Sequence, residues 1–344
     1  MRNTLLTLFL FILLSSCNNK ADILFEQGNL KNTNKDFVGA ISDFNKAIEI
    51  DSNHVRSIVG RGVSKSNLLD FVGAIEDYSL AIKKDPSFGA SYYYRGFAKM
   101  IMGNDLEAIK DYTEAIIIEP KAAEYYRIRG SSKENLERYD EAIADFTLAL
   151  SLDSLNADTY FERANSKQNI LNYYGAISDY SKAIKINPKY LNALLSRGFL
   201  YSQIGNSESS ISDLSAVIDI DNKKFEAYFS RGLNFIAIGK YQIALSDFLK
   251  SIELNPESDK GYYGYGKTLF MIGDYKAAIE NLEIAAKKNS KNFDTFYFLG
   301  LAKYKLKDID GACTNLNIAC NLGMKEACAT IQEICANRIK RSDK

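Results

Sequence analysis

Every 34 residues this chain returns to the pattern Ala-Ile-x-Asp-Tyr/Phe, and no insertion or deletion breaks the count. The copies begin at Ala40, Ala74, Ala108, Ala142, Ala176, Ser210, Ala244, Ala278 and Ala312. The last two drift to Ala-Ile-Glu-Asn-Leu and Ala-Cys-Thr-Asn-Leu but keep register. A fixed period of this length prescribes an array of small units, because one unit cannot bury its apolar face alone and must stack on its neighbours. The array runs from about residue 21 to 326, which leaves a short head and tail of the 344 residues.

Counting positions 1 to 34 from Ala21, the second half of each unit carries small or apolar residues at positions 20, 24 and 27, the spacing of one helix face, as in Ala108, Tyr112 and Ala115. The first half carries an aromatic or aliphatic residue at position 4 and glycine at position 8, as in Tyr92 and Gly96, so each unit reads as two helices. Gly103, Gly205, Gly239 and Gly273 mark the turn between them, and Pro86, Pro120, Pro188 and Pro256 follow the second helix and stop it. Glycine within a helix costs about 1 kcal/mol relative to alanine. Its recurrence at position 8 is read as close helix approach, with the alanines of positions 20 and 27 opposite.

These columns resemble the tetratricopeptide repeat. The resemblance implies an all-α fold, a right-handed superhelical α-solenoid of nine antiparallel helix pairs whose first helices line a concave groove. The chain then divides into a signal peptide (1–16), a lipidated cysteine and tether (17–20), nine repeats (21–326), and a C-terminal capping helix with a basic tail (327–344). Two departures stand out: position 4 lacks tryptophan, and position 7 holds arginine where the family has leucine.

That arginine column is Arg61, Arg95, Arg129, Arg163, Arg197 and Arg231, followed by Tyr265 and Leu299. Position 23 holds Asp43, Asp77, Asp111, Asp145, Asp179, Asp213 and Asp247, followed by Asn281 and Asn315, so the two charges fade at the same repeats. An arginine in a packed position needs a carboxylate, because a buried unpaired charge is costly and the guanidinium can bind both oxygens. The columns therefore predict a structural ladder of Arg–Asp pairs. Pairing within a repeat (Arg61 with Asp77) and pairing to the preceding one (Arg61 with Asp43) satisfy the sequence equally. A cationic strip for an acidic ligand is the functional alternative.

The resemblance also implies that positions 2, 5, 9 and 12 of the first helices face the groove. The candidate ligand residues are Tyr93, Phe97, Met100, Arg127, Phe161, Asn165, Leu195, Phe199, Phe229, Leu233, Tyr263 and Lys267. This strip is largely aromatic and aliphatic, and it lacks the Lys/Asn set with which some relatives hold a C-terminal carboxylate. It suits peptide segments of other envelope proteins held by rigid aromatic anchors. Part of it can instead fill the inner curve between adjacent helices. A second reading is glycan or peptidoglycan binding by stacking on Tyr93, Phe97, Phe161, Phe229 or Tyr263.

At the head, Met1-Arg2-Asn3 precedes an apolar run from Leu5 to Leu14 broken by Thr7. Ten helical residues rise only ~15 Å, about half a bilayer core, which fits a signal peptide and not a span. Leu14-Ser15-Ser16-Cys17 resembles the bacterial lipobox. That resemblance implies lipid attachment at Cys17 and, with Asn18 in place of aspartate, the outer membrane of a bacterial envelope. An ordinary cleaved signal is the alternative.

The other cysteines, Cys313, Cys320, Cys328 and Cys335, lie seven, eight and seven apart. An antiparallel hairpin around Leu322-Gly323 brings Cys320 near Cys328 and Cys313 near Cys335, a disulfide pattern expected of an exported chain. The segment Ala319–Cys328 resembles cysteine-bridged Sel1-like repeats. Zinc is the competitor, without a Cys-x-x-Cys pair or a nearby histidine to favour it.

Lys and Arg equal Asp and Glu at 43 each, so no net field attracts nucleic acid, and the terminal Arg338, Lys340, Arg341 and Lys344 read as a solvated end. His54 falls at the turn between repeats and reads as an exposed loop residue. No phosphate loop, nucleophile–base set or metal-spaced cluster appears in the sequence. The expectation is a non-enzymatic binding scaffold without cofactor or metal.

Overall fold

The structure, a computed structural model, describes residues 20–335. The proposed signal peptide, Cys17 and the basic cluster from Arg338 onward lie outside the described residues. Among them the chain forms nineteen helices and no strand. Two compact units divide after Lys182, within the tenth helix.

The first unit holds α1 (20–33), α2 (Phe37–Ile50), α3 (Val55–Asn67), α4 (Phe71–Lys84), α5 (Gly89–Ile101), α6 (Asp105–Ile118), α7 (Ala123–Asn135), α8 (Tyr139–Leu152), α9 (Ala157–Asn169) and most of α10 (Tyr173–Ile186). The second holds α11 (Leu191–Gln203), α12 (Ser207–Ile220), α13 (Phe225–Ala237), α14 (Tyr241–Leu254), α15 (Asp259–Ile272), α16 (Tyr275–Lys288), α17 (Phe293–Lys305), α18 (Ile309–Asn321) and α19 (Lys325–Ile334). Within each unit every helix packs on the next in sequence, the arrangement of consecutive helix pairs in an α-solenoid.

Sequence chemistry sets the helix ends. Asp36 and Asp70 accept backbone N–H bonds from Gly39 and Gly73, each satisfying a donor that the first turn leaves open. The turn after each first helix needs one left-handed residue. Gly103, Gly205, Gly239 and Gly273 supply it without strain, whereas Lys35, Leu69, Glu137, Leu171 and Lys307 adopt the same positive φ despite their β-carbons.

The core is the set of columns themselves. Ala40, Ala74, Ala108, Ala142, Ala176, Ala244, Ala278 and Ala312 are fully buried, as are the position-24 side chains Phe44, Tyr112, Phe146, Phe248, Leu282 and Leu316. The glycine column faces those large side chains more than it faces alanine. A β-carbon on Gly62 would lie 2.6 Å from the Tyr78 ring, and one on Gly96 would lie 2.8 Å from the Tyr112 ring. The glycine leaves room for the position-24 ring, which corrects the expectation that small faces simply meet.

Candidate functional site

The arginine and aspartate columns meet within each repeat. Arg61 Nη2 and Nε donate to Asp77 at 2.6 and 3.0 Å, and the Arg129–Asp145 bonds are both 2.8 Å. The same two-point pairing joins Arg95 to Asp111, Arg163 to Asp179, Arg197 to Asp213 and Arg231 to Asp247. Of the two open pairings, the structure therefore shows the one within the repeat. In the first unit a further guanidinium N–H reaches the preceding repeat, from Arg61 to Asn45, Arg95 to Ser79, Arg129 to Thr113 and Arg163 to Thr147. In the second unit Arg231 does the same with Ser215, so each of these five arginines ties its own two helices together and also ties them to the repeat before.

A second cation column escaped the sequence reading. Lys65, Lys99, Lys133 and Lys167 at position 11 pair with the same aspartates at 2.7–2.8 Å, four residues beyond each arginine on the same helix face. Their period was visible in the sequence, but nothing there ranked them above other surface lysines. In the first repeat, where position 7 is Gln27, Lys31 pairs with Asp43 instead. Where the arginine is lost, Asn281 and Asn315 donate to carbonyls of their own helices, from Ala277 and Gly311.

In the first unit, α1, α3 and α5 line an open cavity of about 280 Å³, with Phe25, Asn29, Asn32, Arg56, Val59 and Val63 from the predicted groove positions and Phe88 and Tyr94 beside them. Farther along, several candidate residues are engaged with the chain itself. Tyr93 stacks on Tyr125 with ring centroids 5.1 Å apart and donates to Glu124. Arg127 grips Glu124 on its own helix and Glu162 on α9, at 2.6 and 2.8 Å. Met100 and Asn165 accept hydroxyl bonds from the buried Tyr112 and Tyr180, and Phe161 packs on Tyr180 while Phe97 packs on the cluster of Ala108, Tyr112 and Ile128.

This stretch is electrostatically unusual. Burial pushes the Glu162 carboxyl up to about 7 against the pull of Arg127, helped by the nearby Glu134 and Asp158 charges. Burial also raises Glu134. The Arg127 guanidinium is held above its ordinary value by its bonds to Glu124.

In the second unit the candidates stay half-buried, and Phe199 is exposed. Leu195 packs beside Leu194 and Leu214, Phe229 lies 5.9 Å from Phe248, and Leu233 lines an open cavity with Asn234 and Ile238. Lys267 lies over the rings of Tyr263 and Phe298, at 5.7 and 4.9 Å from their centroids. At the end of this unit, disulfides join Cys313 to Cys335 and Cys320 to Cys328, fastening α19 to α18.

His54 corrects its sequence reading. It sits half-buried against Phe25, with Nδ1 bonded to Ser57 and Nε2 to Asp22, so it is a packed end of α3 and not a free loop residue. Among the described residues no group of His, Cys, Asp and Glu side chains is placed to hold a metal ion, and no helix is long and apolar enough to cross a membrane.

Comparisons with known proteins agree with this geometry. Family models described as "Tetratricopeptide repeat" match residues 123–154, 225–258 and 248–280. No curated protein matches the chain in sequence. Among solved structures, the C-terminal part of a repeat-containing protein from Cytophaga hutchinsonii is 19% identical, with a TM-score of 0.60 over 70% of this chain and 98% of its own. A tetratricopeptide repeat protein from Parabacteroides merdae is 20% identical, with a TM-score of 0.54 over 72% and 96%. YrrB, described as having an unusual peptide-binding site, is 21% identical, with a TM-score of 0.50 over 54% and 95%. At these identities the likeness is one of fold.

Proposed function

We propose, from the premise that this chain carries tetratricopeptide repeats, that it is a non-enzymatic scaffold whose first helices bind extended or helical peptide segments of other envelope proteins. The observation that carries the reading is the set of half-buried aromatic and aliphatic side chains at positions 5 and 9 of those helices, among them Tyr93, Phe97, Phe161, Leu195, Phe229 and Leu233. A fold that needed only to close on itself would not line an open cavity with Phe25, Val63, Phe88 and Tyr94. Rigid rings lose little conformational freedom on contact, which makes them efficient anchors for a peptide. Lipid on Cys17 holds the scaffold at a bacterial membrane, the outer membrane in a two-membrane envelope. The support for this is the Leu14-Ser15-Ser16-Cys17 sequence directly before the first repeat.

The test is a photo-crosslinking residue placed at Phe97 or Phe229 in living cells. Capture of discrete polypeptides supports the scaffold reading. Recovery of carbohydrate alone transfers the site to a glycan, and no capture at either position overturns the groove assignment. Separately, Cys17→Ser is expected to move the protein from the membrane to the soluble fraction and to abolish labelling by fatty acid; unchanged membrane attachment sinks the anchor.

A further inference from the structure

Among the described residues, half-buried cations are nearly all answered by carboxylates: in the second unit Arg231 is paired with Asp247 and Lys303 with Glu283 at 2.9 Å. Lys267 on α15 is different. Among the described residues no carboxylate lies within ion-pair distance of its ammonium, which donates instead to Tyr263 Oη at 3.4 Å. Asp294 at the start of α17 acts on it only from farther away, and burial lowers its affinity for the proton. The faces of Tyr263 and Phe298 offset part of the desolvation by cation–π attraction, while the remaining ammonium N–H groups still need acceptors.

The fold does not ask for this charge. Position 9 is uncharged in the eight other repeats, as Asn29, Val63, Phe97, Ser131, Asn165, Phe199, Leu233 and Leu301. A half-buried lysine that lacks a counter-ion and stands among aromatic rings on the face assigned to ligand is explained by an anion that arrives with the ligand.

We propose that Lys267, framed by Tyr263 and Phe298, receives the carboxylate of one Asp or Glu side chain, flanked by apolar residues, within the bound peptide. This rests on the groove reading above and specifies the chemistry of its partner. The rings take the apolar neighbours, and the ammonium gains the oxygen acceptors that the protein withholds.

The experiment pans a random dodecapeptide library against the full chain and against its Lys267→Met and Phe229→Ser variants, with peptides displayed either internally or with a free C-terminus. Wild type is expected to enrich aromatic peptides bearing Asp or Glu, by about threefold or more over their amide counterparts, and Lys267→Met to lose that preference while keeping aromatic binders. Enrichment of acidic peptides in both displays supports the inference; enrichment confined to free-ended peptides overturns it. Aromatic binders with no acid preference, or a preference that survives Lys267→Met, overturn this inference and leave the groove reading intact. Enrichment that is the same for wild type and Phe229→Ser and lacks aromatic binders overturns the groove reading itself. Melting curves serve as an independent check: Lys267→Met is expected to melt no lower than wild type, and a clear drop would assign the lysine to the fold and overturn the proposal.

Discussion

Arg129 holds Asp145 through two parallel bonds of 2.8 Å across the two helices of one repeat, while its third contact, to Thr113, reaches the helix before. One side chain therefore carries both the helix-pair contact and the repeat-to-repeat contact. Arg129→Leu leaves Asp145 with Lys133 as its counter-ion, so the expected loss is about 2 kcal/mol, less than the ~3–5 kcal/mol of a buried pair broken outright. Urea unfolding measures it. Removing the carboxylate as well, in Arg129→Leu with Asp145→Leu, is expected to restore part of the loss.

Leu69 is 76% exposed and holds φ at 65°, where its β-carbon is crowded and its side chain gains nothing from the core. Leu69→Gly is expected to raise stability by about 1 kcal/mol, because the native conformation becomes unstrained by more than the looser unfolded chain loses. Gly103→Leu, at the equivalent turn, is expected to lower it by a similar amount. Thermal melts of both variants check the pair.

Glu162 gives the stability a pH signature of unusual sign. Burial raises its folded pKa to about 7, above that of the unfolded chain, so between roughly pH 4.5 and 7 the folded state holds more protons than the unfolded state. Its contribution is therefore full at low pH and is lost as pH rises through about 7. Glu162→Gln is expected to flatten that part of the melting-temperature profile; an unchanged slope would show that Glu162 titrates normally.

The two disulfides close loops of 22 and 8 residues and fasten α19, which packs through Ala327, Ile331 and Ile334 against α17 and α18. Reduction, or Cys335→Ser, is expected to open α19 locally, with a loss of about 3 kcal/mol for the longer loop, while helices of the first unit keep their protection. Hydrogen exchange resolved by segment distinguishes this from global unfolding.

The sequence alone determined the helix pairs, their 34-residue period and the columns that pack, because each unit repeats one local pattern and stacking admits only one register. It also showed that arginine and aspartate rise and fall together, since a buried charge and its partner must be lost together. Tertiary structure decided what distance in three dimensions decides. Arg61 reaches Asp77 and not Asp43 because its own repeat presents position 23 to the guanidinium, whereas the preceding repeat presents position 25, here Asn45. The glycine column answers to the Tyr78 and Tyr112 rings, and the Lys65 column was indistinguishable from solvated lysines until the aspartates were seen beside it. The groove was legible as a list of positions but not as chemistry. Only packing reveals that Tyr93, Arg127 and Asn165 are already engaged within the chain, whereas Lys267 is left half-buried without a counter-ion. Periodicity encodes which residues face the same way, and burial and pairing arise only when neighbouring helices bring their own side chains to that face.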